Sequence, residues 1–216
     1  MDGFRVRYQT FEFGDESIHV RTLRDRQEFY DPDGVAEALG ISESLWSLFG
    51  VIFPSSEALA RHVSKIDLAG RRILEMGCGI GLSSLLLHQR GHDVIATDYH
   101  PEVEGFLAVN AELNGDTPVP FVRSDWTVPN DELGTFDLIV GSDLLYEQDH
   151  ARDLAAFVAR HAGDQCEVIV TDPGRGERGR FARALIGHGF SHVQERADPS
   201  SDATYKGLVL TFHRAA

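Results

Sequence analysis

A chain of 216 residues with two cysteines and a formal net charge of −14 limits the possibilities before any motif is considered. Its length fits one large domain with a well-buried core, and 42% hydrophobic with 25% charged residues is the balance of a globular fold. The acidic surplus excludes broad electrostatic binding to nucleic acid or to an anionic membrane. No membrane-length apolar run and no basic-then-apolar leader in "MDGFRVRYQT" make a cytoplasmic protein the expectation.

The first segment alternates polar and apolar residues about a Gly14-Asp15 turn, which predicts a β-hairpin of Phe4–Phe13 with Ser17–Leu23. A turn-rich stretch with a short helix near Val35–Leu39 follows. Pro54 then opens a helix to about Val63. From Arg71 the pattern becomes strand and helix in alternation. The strands are Ile73–Glu75, Asp93–Thr97, Val119–Val122, Phe136–Gly141 and Glu167–Thr171; the helices lie near Leu82–Arg90, Glu102–Asn114, Ala151–Ala162 and Arg178–Gly189. Short apolar runs such as "DVIAT" suit strands buried on both faces of a parallel sheet. The fold class expected is α/β, a Rossmann-like doubly wound sheet of seven strands. It ends in an antiparallel hairpin, "FSHVQERA" and "YKGLVLTFHR" joined by "DPSSDAT", and carries the N-terminal hairpin and helices as an extension. The whole chain is taken as one domain, with residues 1–65 as the extension and 71–216 as the core.

The chemistry concentrates in the loops after the strands. "EMGCGIG" places Gly77, Gly79 and Gly81 between the first core strand and its helix, and Asp98 closes the next strand. Such glycines let main chain approach a nucleotide-like ligand closely. From Gly79 the loop is near to G-x-G-x-x-G, with Ser84 at the third glycine, and a ribose-binding acid nineteen residues on fits a dinucleotide. From Glu75 it is E-x-G-x-G-x-G, which fits S-adenosylmethionine (SAM). The loop alone leaves both open. Asp98, with Tyr99 beside it, can accept both ribose hydroxyls of either ligand. Asp125 and Trp126 offer an acceptor for an exocyclic amine and a flat surface for a purine. Ser142, Asp143 and Tyr146 follow the fourth core strand, and Asp143 and Tyr146 at i and i+3 can point the same way. Asp172 and Arg175 follow the fifth strand as further candidates. Cys78 is a small loop residue; no C-x-x-C, H-E-x-x-H or other zinc spacing is present, and no metal is expected.

On these residues the chain resembles the class I SAM-dependent methyltransferases, and within them the family-16 protein lysine methyltransferases and bacterial proteins named nicotinamide N-methylase-like. The matching features are "EMGCGIG" with Asp98, "SDW" at Ser124–Trp126, Asp143-x-x-Tyr146, the N-terminal hairpin, and "VTDPGRGERGRF" after the fifth strand. The resemblance covers roughly Phe4 to Arg214. It implies SAM as cofactor, held by Glu75, Gly77, Cys78, Gly79, Gly81, Asp98, Tyr99, Asp125, Trp126 and Ser142. It further implies methyl transfer to an amine, a protein lysine first, with Asp143 orienting the amine and Tyr146 lining its channel. Phe53 stands where the family has a tryptophan before proline; it can still pack on the cofactor but lacks the indole N–H. The family's substrate-recognising insertions are short here, so a small-molecule amine stays open as acceptor, as does a SAM-binding module without turnover. An NAD-dependent oxidoreductase is disfavoured by the C-terminal hairpin and by the lack of a Tyr-x-x-x-Lys pair. A monomer is expected.

Overall fold

The computed structural model describes residues 5–31, 33–146, 150–174, 176–198, 202 and 204–215. Strands β1 (Val6–Phe13) and β2 (Glu16–Leu23) form the N-terminal hairpin. Helix α1 (Val35–Ala38), two 3₁₀ turns (Glu43–Leu45 and Leu48–Gly50) and α2 (Pro54–Val63) lead into the core. There β3 (Arg72–Met76), α3 (Leu82–Gln89), β4 (Asp93–Asp98), α4 (Val103–Leu113) and β5 (Phe121–Arg123) come first. A 3₁₀ turn, Asp131–Leu133, precedes β6 (Phe136–Ser142), α5 (His150–His161), β7 (Ala162–Asp172), α6 (Arg178–Gly187), β8 (Ser191–Arg196) and β9 (Leu208–Arg214). Seven strands form one sheet in the order β5-β4-β3-β6-β7-β9-β8, all running the same way except β9, which is antiparallel to both its neighbours β7 and β8. This is the expected Rossmann-like α/β sheet with its antiparallel ending.

Each face of the sheet has its own core. Leu59, Leu86, Phe106 and the hairpin residues Ile18 and Val20 fill one; Leu154, Phe157, Phe181 and Phe212 fill the other. Strands covered on both faces favour apolar side chains, and so residues 73–74 of β3, 138–140 of β6 and 168–170 of β7 read as apolar runs. The hairpin is tied to α4 through two side-chain amides. Asn110 exchanges hydrogen bonds with the Arg21 N–H (2.7 Å) and C=O (3.1 Å), and Asn114 does the same with His19 (2.8 and 2.7 Å). Spaced i and i+4 on one helix face, they imitate a neighbouring strand along the outer edge of β2.

Three boundaries differ from expectation. β7 starts at Ala162, five residues before Glu167, because Gly163, Asp164 and Gln165 are extended; the ladder to β6 shifts there from Phe136↔Ala162 to Leu138↔Glu167. Asp164 and Gln165 are exposed at this irregularity, so their polarity resembled a turn. β5 is Phe121–Arg123, later than Val119–Val122, since Pro118 and Pro120 have no N–H to donate, although the Pro120 carbonyl still accepts the Ala96 N–H (2.9 Å). The C-terminal strands are shorter than predicted, and Phe4 and Arg175 lie outside the described residues.

Candidate active site

The strand order reverses between β3 and β6: the chain leaves β3 toward β4 and β5, and leaves β6 toward β7. Diverging connections open a crevice at the carboxyl ends of these two strands. A cavity of about 860 Å³ lies there, walled by the loops after β3, β4, β5 and β6 and by residues from the segment before the core. That size accommodates a ligand of several hundred daltons.

The loop after β3 forms the floor. Gly77, Gly79 and Gly81 have φ of 55°, 53° and 74°, a left-handed region costly for residues with a Cβ. Space makes the same demand. A Cβ on Gly79 would fall 3.0 Å from the Phe49 carbonyl oxygen, and one on Gly81 would fall 2.6 Å from Leu107 Cδ1. Gly77, Cys78 and Gly79 line the cavity, whereas Gly81 starts α3 and Glu75 lies behind the loop; neither of these two reaches the lining. Glu75 accepts hydrogen bonds from the Ser84 N–H (2.8 Å) and the Ser84 hydroxyl. Burial pushes its carboxyl up to about 7, against the pull of those donors. Glu75 therefore supports the cradle from beneath. Burial also raises the Cys78 thiol well above its ordinary range, which keeps it protonated and a poor nucleophile.

Asp98 links the floor to one wall. Its Oδ2 accepts the Gly79 N–H and its Oδ1 the His100 N–H, both at 2.9 Å. Each oxygen keeps a further lone pair, and Asp98 lines the cavity beside Tyr99. The Tyr99 hydroxyl donates to the Leu39 carbonyl (2.7 Å), which fastens the pre-core segment over the sheet. Asp125 spends Oδ1 on the Thr127 N–H (2.8 Å) and hydroxyl (2.7 Å), a turn that aims it, with Trp126, at the same space.

The loop after β6 supplies the other side. The Ser142 and Ser56 hydroxyls are 3.1 Å apart. Asp143 has φ 55° and its N–H donates to the Thr171 carbonyl of β7 (2.9 Å). Tyr146, 40% exposed, stands at the mouth. The His150 ring meets Tyr146 edge-on at 5.5 Å and Trp126 at 5.7 Å. Phe53 lines the cavity at the start of α2, with the Arg26 guanidinium 4.9 Å over its ring. Asp172 is fully buried at the end of β7, where its Oδ1 accepts the Gly174 N–H (2.7 Å), and is not part of the lining.

Several lining residues had no clear signature in the sequence. Leu39, Ile41, Leu45, Phe49 and Val51 build a wall from a segment without regular apolar spacing. His100 stacks on Phe49 (4.0 Å, 18°), and burial pushes its imidazole down to about 4. Its Nδ1 accepts the Glu102 N–H (3.2 Å), which leaves the ring proton on Nε2. The Trp46 backbone is the hydrogen-bonding neighbour of the imidazole. The buried Ser124 Oγ, in the loop after β5, has no hydrogen-bond partner among the described residues, which is costly unless a ligand meets it.

The glycine cradle, the Asp98 carboxylate, an aromatic wall and the Asp143–Tyr146 pair thus converge on one crevice. The profile of the lysine methyltransferase family matches residues 36–181, well over half the chain. The chain belongs to the lysine methyltransferase family. It is 26% identical over 179 residues to the electron transfer flavoprotein beta subunit lysine methyltransferase of Mus musculus, covering 81% of this chain and 65% of that protein. It is 28% identical over 137 residues to the calmodulin-lysine N-methyltransferase of Arabidopsis thaliana, covering 58% of this chain and 45% of that one. The chain therefore spans less than two thirds of the length of these relatives. Among solved structures, the magnesium protoporphyrin IX methyltransferase of Synechocystis with bound SAM superposes with a TM-score of 0.57 at 21% identity, over 73% of this chain and 76% of that one. This lysine methyltransferase family member shares that fold.

Proposed function

We propose that the protein transfers a methyl group from SAM to an amine, and that the amine is a protein lysine side chain. The observation that carries this is the placement of Asp143 and Tyr146 on the same cavity as the glycine cradle and Asp98. The residues suit SAM: Asp98 for the ribose diol, Asp125 with Trp126 and the unpaired Ser124 hydroxyl for the purine, and the Gly77–Gly79 backbone for the amino-acid end. Bound SAM supplies a methyl group already activated on a sulfonium.

What the chain adds is alignment and exclusion of water. A lysine amine has a pKa of about 10.4 in water and arrives protonated. Burial of the amine beside the Tyr146 ring favours the neutral form, whereas the Asp143 carboxylate favours the charged form and fixes its direction. Asp143 is accordingly the orienting group, and the proton leaves to water before the lone pair faces the methyl. Residues 1–65 and 71–216 act as one domain in this reading, as a monomer in the cytoplasm and without nucleic acid. The shared hydrophobic core of hairpin and helices supports the single domain.

Tritiated SAM added to a cell lysate with the protein tests the acceptor. The expected result is a labelled protein band whose acid hydrolysate contains methyllysine. Label confined to the small-molecule fraction would replace the protein lysine with a small amine, and no label in either fraction would end the reading.

A further inference from the structure

Tyr205 lies beyond the segment that matches the family, in the turn between β8 and β9, and the reaction so far has not used it. Hydrogen bonds among its described residues hold Tyr205 in place. Asp202 Oδ1 accepts the Thr204 N–H (2.8 Å) and hydroxyl (2.6 Å), and the Asp202 carbonyl accepts the Tyr205 N–H (3.0 Å). Gly207 leaves space for the ring: a Cβ there would overlap the Tyr205 hydroxyl and ring carbons. So directed, the half-buried phenol places its oxygen 3.0 Å from Ser55 Oγ, 150 residues away in sequence.

Ser55 is buried in the first turn of α2. Its carbonyl accepts the Thr171 hydroxyl (2.8 Å), and the Thr171 carbonyl accepts the Asp143 N–H (2.9 Å). The next residue, Ser56, reaches Ser142. Asp143 holds a left-handed backbone, φ 55°, which a residue with a Cβ adopts where local contacts favour it. Burial raises the Tyr205 phenol above its ordinary value; Ser55 opposes this, and the carboxylates of Asp143 and Asp172 add to it. A neutral phenol thus faces the acids at the ends of β6 and β7.

We propose that Tyr205 is a positioning residue for the methyl-accepting amine, acting through Ser55 and Thr171 to fix the Asp143 backbone at the mouth of the site. The proposal rests on the amine-methylation reading. It assigns a part in the reaction to the C-terminal hairpin, outside the family match.

Tyr205→Phe removes only the hydroxyl. The expected result is a fall of about tenfold or more in the initial rate of tritium transfer, the scale on which misplacement of a reacting group acts, with the SAM Kd by calorimetry within about twofold and a protein that still unfolds in one cooperative transition well above the assay temperature. Ser55→Ala should reproduce the loss, and the double variant should be no slower than either, as for two members of one contact chain. A rate equal to wild type, or a loss matched by a loss of SAM affinity, would overturn the proposal. NMR of [¹³Cζ]tyrosine gives a measure independent of turnover: Asp143→Asn should lower the Tyr205 pKa, and an unmoved pKa would also overturn it. An inactive wild type with a coupled titration would defeat the methylation reading while leaving the Tyr205–Asp143 link standing.

Discussion

In the proposed reaction Asp143 serves the site both by its carboxylate and by its left-handed backbone conformation. Truncation to alanine removes the carboxylate where it would meet the amine. The expected outcome for Asp143→Ala is loss of methyl transfer with SAM affinity within a few-fold, and wild-type turnover would remove the assignment. Asp98→Ala should behave in the opposite way: calorimetry should show weakened SAM binding, and an unchanged Kd would count against the ribose contact. Glu75 makes a different prediction, because it acts on stability. Its carboxyl is raised by burial from 4.5 to about 7, so the folded state holds a proton that the unfolded chain releases. The stability this provides is complete below about pH 4.5 and is lost as pH rises through about 7. At about 1.4 kcal/mol per pKa unit, the loss is of the order of 3 kcal/mol. Glu75→Gln should flatten the dependence of Tm on pH between 5 and 8, and a parallel slope in wild type and variant would refute it. His100, driven down to about 4, works the other way: its contribution is present above 6.5 and lost as pH falls through about 4. Comparing the two proteins at each pH cancels it.

At the scale of elements, the tie between α4 and β2 is the most exposed to test. Asn110 is fully buried and satisfies both backbone groups of Arg21. Leucine there would leave a part-buried N–H and C=O without their amide partner, at about 1 kcal/mol or more. Asn110→Leu should lower the urea midpoint accordingly and speed hydrogen exchange of the Arg21 amide, while SAM affinity stays within a few-fold; unaltered exchange would show that the amide pairing is not needed. This tie was not legible in the sequence, since two asparagines four apart on a helix are indistinguishable from surface residues. The strand–helix alternation was legible, because strands covered on both faces favour apolar side chains and the turns between them carry glycine or proline. The glycine cradle, Asp98, Asp125, Trp126, Asp143 and Tyr146 could be placed at the cavity because each lies at the carboxyl end of a core strand or within the few residues after it. The wall at Leu39–Val51 could not: its residues meet the cavity through 3₁₀ turns and irregular chain, which impose no repeat. Glu75 and Gly81 were recognised by motif, but the structure gives them the work of holding the loop.

For the whole molecule, a ligand that binds only the folded state raises its stability by RT ln(1 + [L]/Kd), about 2.7 kcal/mol at a hundredfold excess over Kd. SAM and S-adenosylhomocysteine should therefore each raise Tm by several degrees and NAD should not; a shift with NAD alone would return the cradle to dinucleotide chemistry. The order of strands in the sheet has a separate consequence for synthesis. β9 lies between β7 and β8, although β8 precedes it in the chain. As the polypeptide leaves the ribosome, the Val168–Val170 edge of β7 stays open after β8 has emerged, since its antiparallel partner is Leu208–Arg214. An open apolar strand edge invites wrong pairing, so the nascent chain passes through a vulnerable interval while residues 173–207 are made. Tyr205 arrives together with β9. The step that seals the sheet is therefore the step that sets Asp143, and a half-made chain has neither a closed edge nor a finished site.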